Sequence, residues 1–423
     1  MKGSRYAWFV VAVLWVVFLL NYLDRQVIFS LFPILRTDLR LSDFQLGLMS
    51  TSFLWVYALC SPFGGFLADR YGRKRVIVLS LLVWSLMTWA TGEAKSFSQL
   101  ISARALMGIS EACYLPAGLA LIADFHGERS RSLATGIHMG GAYTGMVVAG
   151  VGGGWIGEHY GWRPIFILLG SIGMVYCLFV ILGLRESTQR GLAAATNAEI
   201  SFLPAVRELL NLPGFLTLTA VFGATSMANW VLYTWMPSYL YEQFHMSLSA
   251  AGFSATFYLQ IGSVAGILLG GWLADRLSSR TPRSRLLTQA GGLAAAAPFL
   301  ILVGMTESSV LLFLALVVFG IGKGSYDANC MPVLCQIAPS RLRSTGYGLF
   351  NCAGCVAGGL VAAIAGALKS TMGLGGVIQV TGLLLLGSAF LLLRVSVAPP
   401  VAVDLSSKSP NPGRSGTEGR TTL

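Results

Sequence analysis

Charge is scarce in this sequence. Among its 423 residues only 11% are Asp, Glu, Lys or Arg, while 55% are hydrophobic and the mean hydropathy is +0.69. Soluble domains carry charge on about a quarter of their residues, so a water-soluble globule is excluded. Acidic residues are the scarcer kind, 18 against 29 Lys and Arg, which gives a net charge of +11. That excess is dispersed through short loops between apolar runs. It traces no basic stripe, and so excludes a nucleic-acid groove; the positive-inside rule accounts for it. The seven cysteines are scattered within apolar stretches, which excludes a secreted disulfide framework. Fifty glycines without a three-residue period exclude collagen. The glycines of 150–154 lack the strand–turn–helix setting of a nucleotide loop, and Cys352-Ala-Gly-Cys355 lies in an apolar run with no strand before it. No Walker sequence, metal-ligand cluster or nucleophile–base arrangement is present, so neither ATP-driven pumping nor enzyme chemistry is expected. No cofactor is expected.

What is there is a series of apolar runs. A bilayer core of ~30 Å needs roughly 20 apolar residues per helix. Runs near that length fall at 7–33, 44–68, 76–92, 97–123, 132–156 and 164–184, then at 213–240, 250–274, 286–304, 309–337, 345–368 and 373–394. The expected fold is an all-α membrane protein of twelve transmembrane helices in two six-helix bundles. The first run passes into Asn21-Tyr22-Leu23-Asp24-Arg25 with no small-residue cleavage site, so it reads as a span and not a signal peptide. Lys2, Arg5, the 70–75 turn, Arg129, Arg131, Arg185, Arg190, the 276–285 turn, Arg341 and Arg343 all fall on one side. Opposite them are Arg36, Arg40, Lys95, Arg163 and Lys369. Both termini are therefore expected on the cytoplasmic face. Residues 1–184 form the first bundle, 185–212 a cytoplasmic linker, 213–394 the second bundle and 395–423 a disordered tail rich in Pro, Ser and Gly. A monomer in a bacterial inner membrane is the expected setting.

The chain repeats itself. Residues 64–75 read GGFLADRYGRKR and 270–280 read GGWLADRLSSR. Gly108-Ile-Ser-Glu-Ala-Cys-Tyr114 aligns with Gly320-Ile-Gly-Lys-Gly-Ser-Tyr326. At the same spacing Arg129-Ser-Arg131 aligns with Arg341-Leu-Arg343, and at nearly that spacing Asn21-Tyr22 aligns with Asn229-Trp230. Six-helix halves in parallel repeat, with a site near the midplane between them, are a recurring carrier design.

Within the runs stand ionisable residues that need a reason, since each costs at least ~2.5–3.5 kcal/mol at the bilayer centre. They are Asp24, Arg25, Arg104, Glu111, Lys323 and Asp327. Arg104 and Glu111 are seven apart, on one helical face. Asp24 and Glu111 are the groups expected to take and release protons. Arg25 keeps its charge and offers a planar fork for a carboxylate. Lys323 and Asp327 have the i,i+4 spacing of an ion pair, structural or functional, and Lys323 stands at the repeat position of Glu111. Mutual neutralisation that only fixes helix packing is the alternative for all of them. His138, Tyr57, Tyr143, Trp235, Tyr258, Gln260 and Asn351 are candidates to line a polar cavity, or else are packing residues and interfacial anchors. Asp69 and Asp275, beside Arg70, Arg73 and Arg276, sit at helix ends where conformation-dependent latches would be placed.

Gly65-x-Leu67-Ala68-Asp69-Arg70-x-Gly72-Arg73-Lys74 resembles the loop signature of the major facilitator superfamily; the second copy departs at Ser278. Asn21-Tyr22-Leu23-Asp24-Arg25, Arg104-x-x-x-Gly108 and Glu111-Ala112 are similar to the anion:cation symporters, which carry sugar acids and other organic anions with protons. Residues 233–240 and 348–354 are similar to that family's seventh and eleventh helices. The resemblance implies Asp24 and Glu111 as protonation sites, Arg104 as the coupling arginine and Arg25 as the anion anchor. It implies Tyr57 and Asn351 as substrate contacts. Ala142 and Cys355 depart from polar residues that some members carry. The first-half motifs are also similar to the spinster-like carriers, which move lysolipids and sphingolipids. The proline-bearing fifth-helix motif of drug antiporters is missing. The expected function is proton-coupled symport of a small organic anion. A spinster-like lipid carrier is the alternative, and a non-transporting receptor on a carrier scaffold is the alternative of another class.

Overall fold

The computed structural model describes residues 2–126, 128–186, 202–278, 280–339 and 342–395. The tail beyond Val395 and residues 187–201 of the expected linker lie outside the described residues. Within them are thirteen helices and no strand: α1 (Lys2–Ser30), α2 (Phe32–Asp38), α3 (Asp43–Tyr71), α4 (Arg73–Gly92), α5 (Phe97–Phe125), α6 (Glu128–Tyr160) and α7 (Arg163–Gly183), then α8 (Phe202–Leu210), α9 (Phe215–Gln243), α10 (Leu248–Ser278), α11 (Ser284–Val303), α12 (Ser309–Ile337) and α13 (Arg343–Leu393). A helix satisfies its own backbone groups, which is what an apolar segment in lipid requires.

Ten of these helices are long and apolar enough to cross a membrane, against twelve expected from the sequence. The difference lies at two places. α6 has 33 residues but is heavy in glycine, and it is not among the ten. α13 runs for 51 residues, enough to cross twice, and leaves helical geometry at Gly373 (φ 69°), which falls where the last two runs were expected to divide. The first run is also interrupted: α1 ends at Ser30 and the separate short helix α2 begins at Phe32, with Pro33 in its first turn. The expected linker contains α8.

α1 packs on α6, α3 on α5, and α4 on α5 and α7. In the second set α9 packs on α13, α10 on α12, and α11 on α12 and α13. The sequence repeat is visible in hydrogen bonds. Arg131 donates to the carbonyls of His126 (3.4 Å) and Ala123 (3.3 Å) at the end of α5. Arg343 donates to those of Ala338 (3.2 Å) and Cys335 (3.0 Å) at the end of α12. Each guanidinium thus covers the orphan carbonyls, and the negative end, of one helix. At the other ends Ser96 and Ser308 cap α5 and α12 by accepting from the backbone of Gln99 and Leu311.

The basic turn of the first signature depends on Gly72. Its φ of 103° suits glycine, and a Cβ there would press on the Glu186 carboxylate. At the far end of this half, the Trp162 indole and Arg163 both donate to Asp38 at 2.8 Å and hold its carboxyl below the ordinary range.

The two sets meet mainly at the end away from the chain termini. There α6 lies on α10 and α3 on α13. The first contact is backbone on backbone: a Cβ on Gly150 would collide with Gly252, and one on Gly154 with Leu248. In the second, Gly47 lies on Ala362 and Gly366 on Asp43. Thr51 donates to Gly359 (2.6 Å), Trp55 to Val356 (3.0 Å), and the backbone of Leu248 to Glu158 (2.5 Å). Four charges cap this end. Lys369 reaches Glu242 (2.7 Å) and Asp43 (3.2 Å), and Arg36 stands 3.6 Å from each of the same carboxylates. Towards the termini α3 and α13 part around a cavity of about 390 Å³ between Ala58, Ser61 and Pro62 on one side and Thr345, Gly348 and Cys352 on the other.

Two outcomes are expected. Gly252→Leu should wedge α6 from α10, so that the distance between spin labels at the outer ends of those helices lengthens and broadens. Lys369→Ala leaves two carboxylates with Arg36 alone, and should shift the closed state by about 1 kcal/mol, roughly a fivefold change in population. The same labels, read at low and high salt, measure it.

Candidate functional site

Between the two sets lies a cavity of about 260 Å³. The first set contributes Tyr22, Arg25 and Gln26 from α1, Leu54 and Tyr57 from α3, Leu115 from α5, and Tyr143 and Met146 from α6. The second contributes Phe222, Ser226, Asn229, Trp230 and Tyr233 from α9, Lys323 from α12, and Asn351, Gly354 and Cys355 from α13. Of the residues singled out in the sequence, Arg25, Tyr57, Tyr143, Lys323 and Asn351 are brought together in this lining.

Arg25 is the most heavily partnered of them. Its Nη2 and Nε donate to one oxygen of Glu111 at 2.6 and 3.0 Å, and Nη2 reaches Asn21 Oδ1 at 3.4 Å. The rings of Tyr22 and Phe53 (4.7 Å each) and Tyr57 (5.1 Å) surround the guanidinium. The second oxygen of Glu111 has no hydrogen-bond partner among the described residues. A local reason places this pair. Gly108 lets α5 approach so closely that a Cβ there would press on the Phe53 carbonyl of α3, and this brings Glu111, one turn further, against α1.

Arg104 and Asp24 lie behind that pair and outside the cavity lining. Arg104 is 1% exposed, donates to the Arg25 carbonyl (3.3 Å) and faces the ring of Phe53 (5.0 Å), while its Nε has no hydrogen-bond partner among the described residues. Asp24 is equally buried, with the Thr88 side chain at its carboxylate. Both project into the protein and not towards lipid. In the second set Lys323 donates to Asp327 at 2.6 Å, with the lysine side chain buried and the aspartate side chain 35% exposed.

Several expected lining residues sit elsewhere. His138 is fully buried, stacks on Phe18 (4.6 Å) beside Tyr114, and is not in the cavity lining. Gln260 stands one layer back, with its amide nitrogen 2.8 Å from Met146 Sδ and 3.5 Å from the Tyr233 hydroxyl, both partners being lining residues. Trp235 donates to the Ala362 carbonyl (3.0 Å), and Tyr258 stacks on Phe313 (4.4 Å). Of the latch residues, the Asp69 side chain lies outside the described residues. Arg73 pairs with Asp124 and donates to the Ala120 carbonyl (2.9 Å). Asp275 pairs with Arg285 at 3.2 Å. Arg70 lies over Phe66 and Tyr71, and Arg276 over Trp272.

Sequence reasoning missed the charged cap of Arg36, Asp43, Glu242 and Lys369. Its signal is present in the sequence, since these residues flank four runs at one end, but the positive-inside rule uses Arg36 and Lys369 only to orient the chain. It also missed Asn229 and Ser226 as lining residues, although Asn229 repeats Asn21.

Comparison with known proteins agrees with this architecture. The probable galactarate/D-glucarate transporter GudP of Escherichia coli (strain K12) is 26% identical, over 88% of this chain and 89% of its own. An MFS-type efflux pump of Mycolicibacterium smegmatis is 31% identical, over 88% of this chain and 86% of its own. In fold, the chain is similar to a bacterial homolog of the human lysosomal transporter Spinster, in its inward-facing and occupied conformation. There the TM-score is 0.80 with 24% identity, covering 93% of this chain and 99% of that one. The model described as Major Facilitator Superfamily matches residues 14–363, most of the chain. The chain therefore belongs to the Major Facilitator Superfamily and is a membrane transporter, not an enzyme.

Proposed function

We propose that this chain is a proton-coupled symporter of a small organic anion, a sugar acid or another carboxylate. It crosses the membrane twelve times in two six-helix bundles and works as a monomer in a bacterial inner membrane, with both termini cytoplasmic. The observation that carries this reading is the Arg25–Glu111 pair at the wall of a cavity between the bundles. A guanidinium ringed by Tyr22, Phe53 and Tyr57 binds a carboxylate well, and Glu111 occupies it while the site is empty. Proton uptake by Glu111 turns that carboxylate into a neutral group and frees the guanidinium for the carboxylate of a substrate. Asp24 and Arg104 form the relay behind it, with Arg104 donating to the Arg25 carbonyl. Tyr57, Tyr143 and Asn351 offer hydroxyl and amide contacts to the rest of the substrate, with Gln260 positioning Tyr233. Asp69, Arg70, Arg73, Asp275 and Arg276 act as latches at the cytoplasmic end, and the proton gradient takes the place of a cofactor. Relatives named for galactarate/D-glucarate and D-galactonate support the substrate class. A cavity of about 260 Å³ lies at the small end of ligand pockets and suits a small solute.

A lipid-carrying reading has one observation of its own. The apolar crevice between α3 and α13 shares Asn351 with the central cavity, as a lateral path for a lysolipid would. Thermal-shift binding of aldonic and aldaric acids against lysolipids separates the two. Stabilisation by lysolipids alone favours the lipid carrier.

In proteoliposomes with an inward proton gradient, Glu111→Gln and Asp24→Asn should each drop the accumulation ratio to about one. Exchange of labelled for unlabelled substrate, which needs no net proton movement, should persist in Glu111→Gln. An Asp24→Asn protein that still concentrates substrate would remove Asp24 from the coupling path. Arg25→Ala strands Glu111 and should cost about 3–5 kcal/mol of stability, together with substrate binding.

A further inference from the structure

Glu111 and Lys323 occupy equivalent places in the duplicated chain. Their helices α5 and α12 have 29 residues each, begin at a serine cap and end under an arginine, and Gly108 and Gly320 precede the two residues by one turn. The duplication therefore puts an acid behind one wall of the cavity, where it holds the lining residue Arg25, and a base in the other wall. In the first half the acid is answered from α1 by Arg25. In the second half the position corresponding to Arg25 is Tyr233, and the base is answered from its own helix by Asp327.

The outcome is one cation per bundle facing one small cavity. Arg25 and Lys323 both line it, and each is held by a carboxylate at 2.6 Å. A helix-surface pair at i,i+4 is commonplace where water covers it. Lys323 is 6% exposed, and what exposure it has faces the cavity, where an isolated pair would have no packing task. A substrate with one carboxylate has use for one of these cations. In a site shielded from bulk water each further charge on the ligand must find its own partner, so a second anchor is a selecting feature. The lining between the anchors supplies neutral donors and acceptors, Tyr143, Asn229, Tyr233 and Asn351, which suit hydroxyl groups.

We propose that the cavity is built for a polyhydroxylated dianion with a carboxylate at each end, one held by Arg25 and the other by Lys323. Lys323 is then the residue that sets dianion over monoanion. This rests on the reading of the cavity as a carboxylate site.

The test is competition binding to the full-length protein in nanodiscs, with a six-carbon aldaric acid (two carboxylates) and the matching aldonic acid (one carboxylate) as probes. The wild-type protein is expected to prefer the aldarate by about tenfold, and Lys323→Gln to erase that preference, while Lys323→Arg keeps it. Where Lys323→Gln is too unstable because Asp327 is left alone, Lys323→Gln with Asp327→Asn removes the stranded charge and should show the same loss. Equal preference in wild type, or a Lys323→Gln protein whose ratio of affinities is unchanged, overturns the two-anchor site and leaves the carboxylate reading standing. Binding of neither acid to the wild type overturns both.

Discussion

The structure depends on one arrangement: a guanidinium and a carboxylate placed face to face where water is excluded. Arg25 and Glu111 meet at 2.6 Å with side chains 8% and 0% exposed. Bringing two charges out of water costs several kcal/mol for each, and a buried pair recovers that only with good geometry and extra hydrogen bonds. Here the extras are partial. Asn21 adds one bond to Arg25, and three aromatic rings surround it, yet one oxygen of Glu111 has no hydrogen-bond partner among the described residues. An apolar pair of like volume would hold α1 to α5 at least as well. The pair is therefore poorly explained as mortar and well explained as a contact meant to be broken.

The duplication supplies the frame that keeps such a contact in place. Ser96 with Arg131, and Ser308 with Arg343, fasten both ends of α5 and α12. These are the helices that carry Glu111 and Lys323. Close glycine contacts lock each against its neighbour, Gly108 on Phe53 and Gly320 on Leu259. Small residues let backbones touch, and in lipid that touching replaces the hydrophobic drive of a water-soluble core. The height of each charged residue relative to the neighbouring helix is thereby fixed.

Most of this frame was legible in the sequence, because its determinants are local. Runs of apolar residues, the paired signatures and the repeated Gly108 and Gly320 segments lie within single helices. The intramembrane charges announced the site for the same reason: Arg25, Glu111 and Lys323 stand out against apolar neighbours. What could not be read was any feature made by residues far apart in the chain. The cap of Arg36, Asp43, Glu242 and Lys369 joins positions from both halves, and nothing in their own segments tells which carboxylate meets which cation. His138 shows the opposite limit. A lone histidine in a span can line a cavity or serve packing, and Phe18 and Tyr114 take it into the packing of the first half. Gly373 divides α13 as the hydropathy suggested, whereas the break at Leu31 was hidden inside one apolar run.

The closed end explains how such a frame could still open. Between α6 and α10 the contact is mostly backbone against backbone, with Gly150 on Gly252 and Gly154 on Leu248. Between α3 and α13 it adds three hydrogen bonds or ion pairs that reach across from Thr51, Trp55 and Asp43. Flat glycine surfaces separate without leaving large side chains stranded in holes, so parting them creates few voids. The four charges at the rim lie where water can solvate them once they part, unlike the pair in the cavity. The energetic demand of opening thus falls on the cavity pair and not on the rim. Under the proposed coupling, a proton and an anion arriving at Arg25 and Glu111 decide which end is open, because the contacts they compete with elsewhere are individually weak.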